Sequence, residues 1–362
     1  MAPTSTSYTT TTTLHRAAPM DGRKMATEDE RYRTSSQYRL WSFSRAQLHQ
    51  LRDKTNILAR QQNAARLGGG ETGASLEFLT AEEELSLVRF FTIELIRAAQ
   101  FCELPTEIRS TAAIFFRRFY VTNSVMTYPP TELLKTSLFF GCKAEGFYIR
   151  LGRLTEKLSG TTPEQILAGE FLLCQGIRFA FDVRHPFRGL EGAVLELRRR
   201  LPAEQETRIN RAHARSREIL KFSPLLTDVY FHYTPSQIML AALQMADAGL
   251  ADMLIPAEGV QSDIREKIMA TVQGCRVMLE QEPPERMAEY WETVETAKSM
   301  KPLRKKLQKC RDPDRVDLVA LQKARREQAM NKEVKKPTSK SDNPFGGDLK
   351  SIKADDPFGG AL

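Results

Sequence analysis

The sequence is poor in the residues that build disulfide frameworks and metal sites. Its 362 residues contain only five histidines and five cysteines, with no Cys-x-x-Cys pair. The cysteines are odd in number and widely spaced, at Cys102, Cys142, Cys174, Cys275 and Cys310. This pattern is typical of reduced thiols in a helical core and disfavours a disulfide-rich or zinc-binding protein.

Long hydrophobic runs are also missing. No apolar stretch approaches the roughly 20 residues that a membrane-spanning helix needs. The N-terminus is rich in Thr and Ser and lacks the apolar core of a secretory signal. We therefore expect the protein to remain inside the cell.

The common catalytic motifs are absent as well. The sequence has no G-x-x-x-x-G-K-[ST] loop, no strand followed by G-x-G-x-x-G, no H-E-x-x-H and no G-x-S-x-G. We predict no catalytic residue, no cofactor and no metal. The sequence instead favours a binding scaffold.

What the sequence does contain is a strongly apolar segment from Ile114 to Phe147. It is typical of two buried helices, because large side chains face nearly every direction around the first of them. We expect Pro129 and Pro130 to end the first helix and Thr131 to cap the second.

The start of this second helix has an echo later in the chain. The sequence YPPTELL from residue 128 resembles YTPSQIM from residue 233, an offset of 105 residues. Each copy is followed by an apolar helix with small residues near its end. The spacing predicts an internal duplication of an all-helical unit.

Composition divides the chain into six segments. We expect a disordered N-terminal arm at residues 1–31, an amphipathic docking helix at 32–66, two five-helix units at 80–183 and 184–282, further helices at 285–330 and a disordered tail at 331–362. The predicted fold class is therefore all-α, with two tandem repeats flanked by N- and C-terminal helices.

Local signals support several of these helices. The docking helix carries Leu48, Leu51 and Ile57, which we place on one apolar side. Thr80 starts a capped acidic turn that opens the first unit. The fifth helix of that unit begins near Pro163 and is predicted to run through Phe179, with Glu170 in its middle.

Two features leave alternatives open. The net charge of +8 includes an arginine-rich stretch between residues 198 and 217, which would suit either a phosphate backbone, an acidic protein or simply a solvated face. The tail repeats Pro-Phe-Gly-Gly at residues 344–347 and 357–360. This repeat is either a docking peptide or a low-complexity remnant.

Taken together, these segments resemble the cyclin family. The resemblance spans about residues 32–310 and rests on four separated stretches in the same order: SSQ at 35–37 leading to Phe43, FRRFYVTNSVM at 116–126, HPFR at 185–188 with Glu191-Gly192, and LTDVY at 226–230 leading to YTPSQI. Among cyclins, the similarity is to the transcriptional members. The N-terminal arm, the glycines at 68–70 and the tail lie outside it.

The resemblance implies a regulatory subunit of a protein kinase. Its implied partners are a cyclin-dependent kinase catalytic subunit, a RING-containing assembly subunit and the core of transcription factor IIH, in the nucleus. The implied activity is support for phosphorylation of the RNA polymerase II C-terminal repeats and of the activation loops of cell-cycle kinases. No membrane and no direct nucleic-acid contact is expected.

The resemblance also assigns a kinase-binding site. Lys143 matches the family lysine, and Glu170 the family glutamate, that hold the kinase's regulatory helix. The apolar and acidic surround of that contact falls on Phe140, Glu145, Phe171 and Phe179. The alternative for Lys143 and Glu170 is an intramolecular ion pair with a structural role.

One helix departs from the pattern of cell-cycle cyclins. Its sequence LSLVRFF at residues 85–91 lacks the M-R-A-I-L-like patch through which those cyclins recruit substrates. The remaining alternatives are a cyclin C-like subunit and a nucleic-acid-binding scaffold like transcription factor IIB. An enzyme in its own right is disfavoured, since no motif supports it.

Overall fold

The computed structural model describes residues 27–67, 77–158, 160–255, 262–292, 294–311, 318–320, 322–324 and 327. Within these ranges the chain forms helices and turns and no strand, which confirms the predicted all-α class. No helix in these ranges is long and apolar enough to cross a membrane. The predicted tail at 331–362, with both Pro-Phe-Gly-Gly motifs, lies outside the described residues.

The helices follow the predicted order. Before the first repeat come α1 (Glu28–Thr34), α2 (Ser36–Trp41) and α3 (Arg45–Leu67). The first repeat contains α4 (Ala81–Phe101), α5 (Thr106–Thr122), α6 (Pro130–Ala144), α7 (Leu151–Lys157), α8 (Pro163–Ala168) and α9 (Glu170–Gly176).

The second repeat has the same general plan. It contains α10 (Phe187–Arg200), α11 (Glu206–Leu226), α12 (Val229–His232), α13 (Pro235–Ala246), α14 (Ala248–Asp252) and α15 (Ser262–Leu279). After it come α16 (Arg286–Glu292) and α17 (Val294–Cys310). The chain divides into two compact units, 1–316 and 317–362, and all of α1–α17 lie in the first.

Helix α5 is the centre of the first repeat, as its sequence predicts. Every residue from Ser110 to Val121 is buried. Helix α6 lies close against it, since a Cβ added to Gly141 would be only 3.0 Å from the Cβ of Ala112. The small residues near the end of α6 therefore permit this approach.

The corner between α5 and α6 differs from the prediction. Helix α5 already ends at Thr122, so the two prolines do not stop it. Pro130 takes the first position of α6, where its missing N–H costs no helical hydrogen bond. Thr131 therefore lies inside the helix and does not cap it, contrary to our expectation.

The two similar segments, YPPTELL and YTPSQIM, also adopt similar structures at the start of a helix. Pro130 and Pro235 occupy the same first helical position in α6 and α13. Only α13 has a side-chain cap, because Thr234 and Gln237 form a capping box. The same reciprocal bonding occurs between Thr80 and Glu83 at the start of α4, as predicted.

The N-terminal helices differ in detail from the sequence interpretation. Helix α1 begins at Glu28, inside the segment that we assigned to a disordered arm. Helix α3 buries Leu48, Asn56, Ala59 and Asn63, whereas Ile57 is 51% exposed. The prediction for Ile57 was wrong because nine residues is two and a half helical turns, which places it opposite Leu48.

Polar contacts fix α3 and α17 to the first repeat. The Asn56 amide donates to the Leu79 carbonyl and the Glu84 carboxylate, both at 2.9 Å. Asn63 donates to the backbone carbonyl of Cys310 at the end of α17, at 3.0 Å. The flanking helices are thus hydrogen-bonded parts of the same body as the repeats.

Candidate functional site

An ion pair lies at the end of α6. Lys143 Nζ donates to Glu170 Oε1 at 2.7 Å, and the ammonium also lies 4.6 Å from the centre of the Phe139 ring. The two side chains are 48% and 21% exposed, respectively. The intramolecular pair exists, and its exposure also leaves both groups within reach of a partner.

The position of Glu170 follows from a break in the fifth helix. The predicted continuous helix is interrupted at Gly169, so Glu170 is the first residue of α9 and not the middle of a longer helix. A Cβ on Gly169 would lie 2.5 Å from Thr136 Oγ1 of α6. The glycine therefore lets α9 approach α6 closely enough for the ion pair to form.

Phenylalanine side chains extend the surface beside this pair. The Phe140 ring is 5.6 Å from the buried Phe115 ring and 5.3 Å from Phe181, whose ring is 6.2 Å from Phe179. These tilted or edge-on contacts are favourable ring geometries. Phe171, Phe179 and Phe181 are 55%, 57% and 40% exposed. Large exposed aromatics of this kind are typical of protein interaction sites.

Phe179 reaches this surface from a turn, because the helix ends at Gly176 before it. Both Arg178 and Phe179 have left-handed backbones, with φ of 57° and 53°. Such a conformation costs a non-glycine residue roughly 1–2 kcal/mol. The Arg178 guanidinium lies 5.4 Å from the Trp41 ring centre, and Trp41 is fully buried at the end of α2. Helix α2 thereby helps to hold the turn.

Glu145 has a separate anchor. It caps the C-terminus of α6, and its Oε1 accepts a 2.5 Å hydrogen bond from the hydroxyl of Thr111 in α5. The structure thus brings Lys143 together with Glu170, and Phe140 together with Phe179 through Phe181. It ties Glu145 to α5 instead.

Sequence reasoning missed two of these residues. Phe181 carries a recognisable signal, since it lies only two residues after Phe179. Thr111 carries none, because a threonine inside a helix is usually a packing residue. Only the tertiary structure brings it to Glu145.

The described part of the chain offers no alternative metal site. No group of three His, Cys, Asp or Glu side chains in it is arranged to hold a metal ion. Burial raises the pKa of Cys142 and of Cys275 to about 12, so these thiols stay protonated.

The arginine-rich stretch of α10 and α11 is largely neutralised. Arg199 and Arg200 both bond Glu196, and these bonds lower the pKa of Glu196 to about 2. Other pairs in this stretch are Arg198 with Glu206, Arg208 with Asp247, Arg215 with Glu285 and Arg217 with Glu191. This pairing favours the solvated-face interpretation over a phosphate-binding one.

Comparison with known proteins gives a consistent set of matches. A family model described as the cyclin C-terminal domain matches residues 185–280. Cyclin mcs2 of Schizosaccharomyces pombe is 35% identical over 239 residues, which cover 64% of this chain and 74% of that protein.

Two solved structures extend the similarity. A chain in the structure of the CAK complex of Chaetomium thermophilum bound to ATP-γ-S is 52% identical, with a TM-score of 0.79. The match covers 89% of this chain and all of that one. A chain of the yeast TFIIK (Kin28/Ccl1/Tfb3) complex is 30% identical, with a TM-score of 0.56, and covers 68% of this chain and all of that one.

Proposed function

The chain belongs to the cyclin family, and we propose that it is the cyclin H-type subunit that binds and activates a cyclin-dependent kinase of the CDK-activating kinase complex within transcription factor IIH. The observation that carries this proposal is the 52% identity, over nearly the whole chain, to a chain of the Chaetomium CAK complex. The match to a TFIIK chain supports the same assignment.

The proposal includes three kinds of partner. They are the kinase catalytic subunit, a RING-containing assembly subunit and the transcription factor IIH core. The assembled module phosphorylates the C-terminal repeats of RNA polymerase II and the activation loops of other kinases. Both tasks belong to transcription and the cell cycle, which gives the protein a nuclear location.

The chain acts as a regulatory subunit and supplies no catalytic group. A protein kinase is active only when a glutamate on its regulatory helix pairs with the lysine that positions the ATP phosphates. A partner that binds the inward position of that helix shifts the kinase population towards the active state. Cyclin binding energy is thereby converted into kinase activity.

We assign this contact to Lys143, Glu170, Phe140, Glu145, Phe171 and Phe179, extended by Phe181. The Lys143 ammonium has three donors, of which Glu170 takes one, so the others remain for carbonyl groups at the end of the kinase helix. The Glu170 carboxylate has further lone pairs for N–H groups. The exposed phenylalanine rings supply apolar area around these polar contacts.

The helix that carries the substrate-docking patch in cell-cycle cyclins is partly covered here. Leu87, Val88 and Phe91 of α4 are buried, and both α3 and α17 contact this helix. These three apolar side chains are therefore not available to dock a substrate. This supports a transcriptional cyclin, and so do α16 and α17, which a cyclin C-like subunit would lack in this form.

The proposal is tested by affinity purification of the tagged chain from nuclear extract, followed by mass spectrometry and a kinase assay on a polymerase repeat peptide. We expect one cyclin-dependent kinase and a RING-containing subunit. Recovery of a mediator-type kinase would reassign the chain to a cyclin C-like role. Recovery of DNA with no kinase, through steeply salt-dependent binding, would overturn the mechanism.

A further inference from the structure

Four side chains from distant parts of the sequence form one hydrogen-bond chain behind the candidate kinase-binding surface. The Tyr230 hydroxyl lies 2.8 Å from His185 Nδ1, and His185 Nε2 lies 2.7 Å from Thr111 Oγ1. Thr111 Oγ1 in turn lies 2.5 Å from Glu145 Oε1. The chain therefore runs from α12 of the second repeat, through α5, to the end of α6.

The carboxylate of Glu145 determines which atom donates in each of these hydrogen bonds. A carboxylate only accepts hydrogen bonds, so the single hydroxyl proton of Thr111 goes to Glu145. Thr111 must then accept from His185, which places the ring proton on Nε2. His185 Nδ1 is left to accept from the Tyr230 hydroxyl. Every donor in the chain points towards Glu145.

This arrangement requires a neutral imidazole, and the surroundings of His185 favour one. Burial, reinforced by the positive charge of Arg118, lowers the pKa of His185 to about 3. The ring also contacts Tyr230, with centroids 5.8 Å apart in an edge-on arrangement. His185 is thus fixed both in tautomer and in orientation.

The solvent exposure of these hydrogen-bonded side chains changes sharply from one end of the series to the other. Thr111 is fully buried and Tyr230 is 2% exposed, whereas Glu145 belongs to the exposed end of α6. An exposed glutamate normally samples many rotamers, and ordering such a side chain on binding costs conformational entropy. Here a buried hydroxyl already holds one of its oxygens, Oε1.

We propose that Thr111 and His185 are positioning residues that hold the Glu145 carboxylate in one orientation, so that its Oε2 accepts a hydrogen bond from an N–H donor of the bound kinase. This inference rests on the proposed function, because it deepens the role of Glu145 in the same surface. A preorganised acceptor loses less freedom on association, which raises affinity without a new contact.

The test compares Thr111→Val with Thr111→Ser in the full-length chain. Valine has the shape of threonine without the hydroxyl, and serine restores the hydroxyl. We expect Thr111→Val to weaken binding to the purified cognate kinase about tenfold, because the released Glu145 side chain must then be ordered on binding. Thr111→Ser should remain within about twofold of wild type. Thermal unfolding of each variant verifies that it is folded.

A double-mutant cycle separates positioning from general stability. If Thr111 acts through Glu145, then Thr111→Val causes no further loss of kinase affinity in a Glu145→Ala background. Equal losses from Thr111→Val in both backgrounds would overturn the proposal, as would wild-type affinity of Thr111→Val alone.

The same assay includes Lys143→Ala/Glu170→Ala. If this variant loses binding while Thr111→Val binds normally, the positioning role is wrong and the proposed function stands. If wild type itself neither binds nor activates a cyclin-dependent kinase, the proposed function fails. The two failures are therefore distinguishable.

Discussion

Arg117 and Asp228 lie in direct contact although they belong to different repeats: Arg117 Nη2 donates to Asp228 Oδ1 at 2.6 Å. The same carboxylate accepts two hydrogen bonds from Arg52 of α3, at 2.7 and 2.8 Å. Arg117 is buried, and it also donates to the Leu225 carbonyl at 3.0 Å. The Asp228 carboxylate therefore links α3 to both repeats.

Asp228→Asn should destabilise the protein strongly. Burial alone raises the pKa of Asp228, but the hydrogen bond from Arg52 and the charges of Arg117 and Arg52 outweigh it and hold this pKa well below its usual range. Removing the charge leaves Arg117 buried without its partner, at a cost of about 3–5 kcal/mol. Urea unfolding at pH 7 measures the loss of stability. Arg199→Ala, which breaks a solvent-exposed ion pair, is the control, and its free energy of unfolding should stay within about 0.5 kcal/mol of wild type.

The pH dependence of this difference has a defined sign. Because the folded-state pKa is lowered, the stabilisation is present above the usual aspartate value of about 3.9 and is lost as the pH falls below it. The difference between wild type and Asp228→Asn should be constant from about pH 7 to 5 and shrink below about pH 4. A difference that grows on acidification would contradict the assignment.

Two alanine substitutions on α3 test which face of this helix packs against the repeats. Leu48→Ala should cost about 2–5 kcal/mol, because Leu48 is 2% exposed. Ile57→Ala should cost no more than about 0.5 kcal/mol, since Ile57 is half exposed on the opposite face. Chemical denaturation of both variants gives the comparison. A large loss for Ile57→Ala would mean that this side chain docks on the repeats, as the sequence pattern alone had indicated.

Gly169→Ala should disturb the candidate site from within the fold. The added methyl group meets Thr136 Oγ1 at 2.5 Å, so α9 must shift away from α6, at a cost of about 1–3 kcal/mol. The shift separates Glu170 from Lys143 and should reduce kinase activation. Gly152→Ala is the matched control, because nothing lies within 4 Å of a Cβ at that helical position. Kinase activation by both variants at equal concentration distinguishes them, and equal activity would argue against a role for the close approach.

His185 gives a second, independent pH prediction. Its folded-state pKa of about 3 lies below the unfolded value of about 6.5, so the unfolded chain binds the proton first. This contribution to stability is complete above about pH 6.5 and decreases as the pH falls towards 3. Melting temperatures between pH 7.5 and 4.5 should therefore fall more steeply for wild type than for His185→Gln. Parallel curves would mean that His185 is not buried as a neutral ring.

The sequence predicted those helix starts that depend only on a few neighbouring residues. Thr80 caps α4 and Pro163 starts α8 because the capping and first-turn preferences act over a few residues. The burial of α5 follows from its own apolar side chains. Lys143 and Glu170 were identified through a family resemblance. Because 27 residues separate them, the sequence could not predict that their side chains lie in contact.

The remaining features depend on packing between distant segments. The break at Gly169 reflects the proximity of Thr136, and the outward turn at Phe179 is held by Trp41 of α2. The link from Thr111 to Glu145 spans two helices that meet only in the folded state. None of these relationships is contained in a local pattern, so periodicity and capping signals could not supply them.

The most direct test of the central claim is activation of the purified cognate kinase by the wild-type chain and by Lys143→Ala/Glu170→Ala, measured on a polymerase C-terminal repeat peptide. A Lys157→Ala/Glu103→Gln variant is the matched control, because it removes another Lys–Glu pair of the first repeat, at 2.9 Å. We predict that the first variant loses about 2–5 kcal/mol of kinase binding and most of the activation, whereas the control activates like wild type. Normal binding and activation by Lys143→Ala/Glu170→Ala would contradict the assignment of the kinase-binding surface.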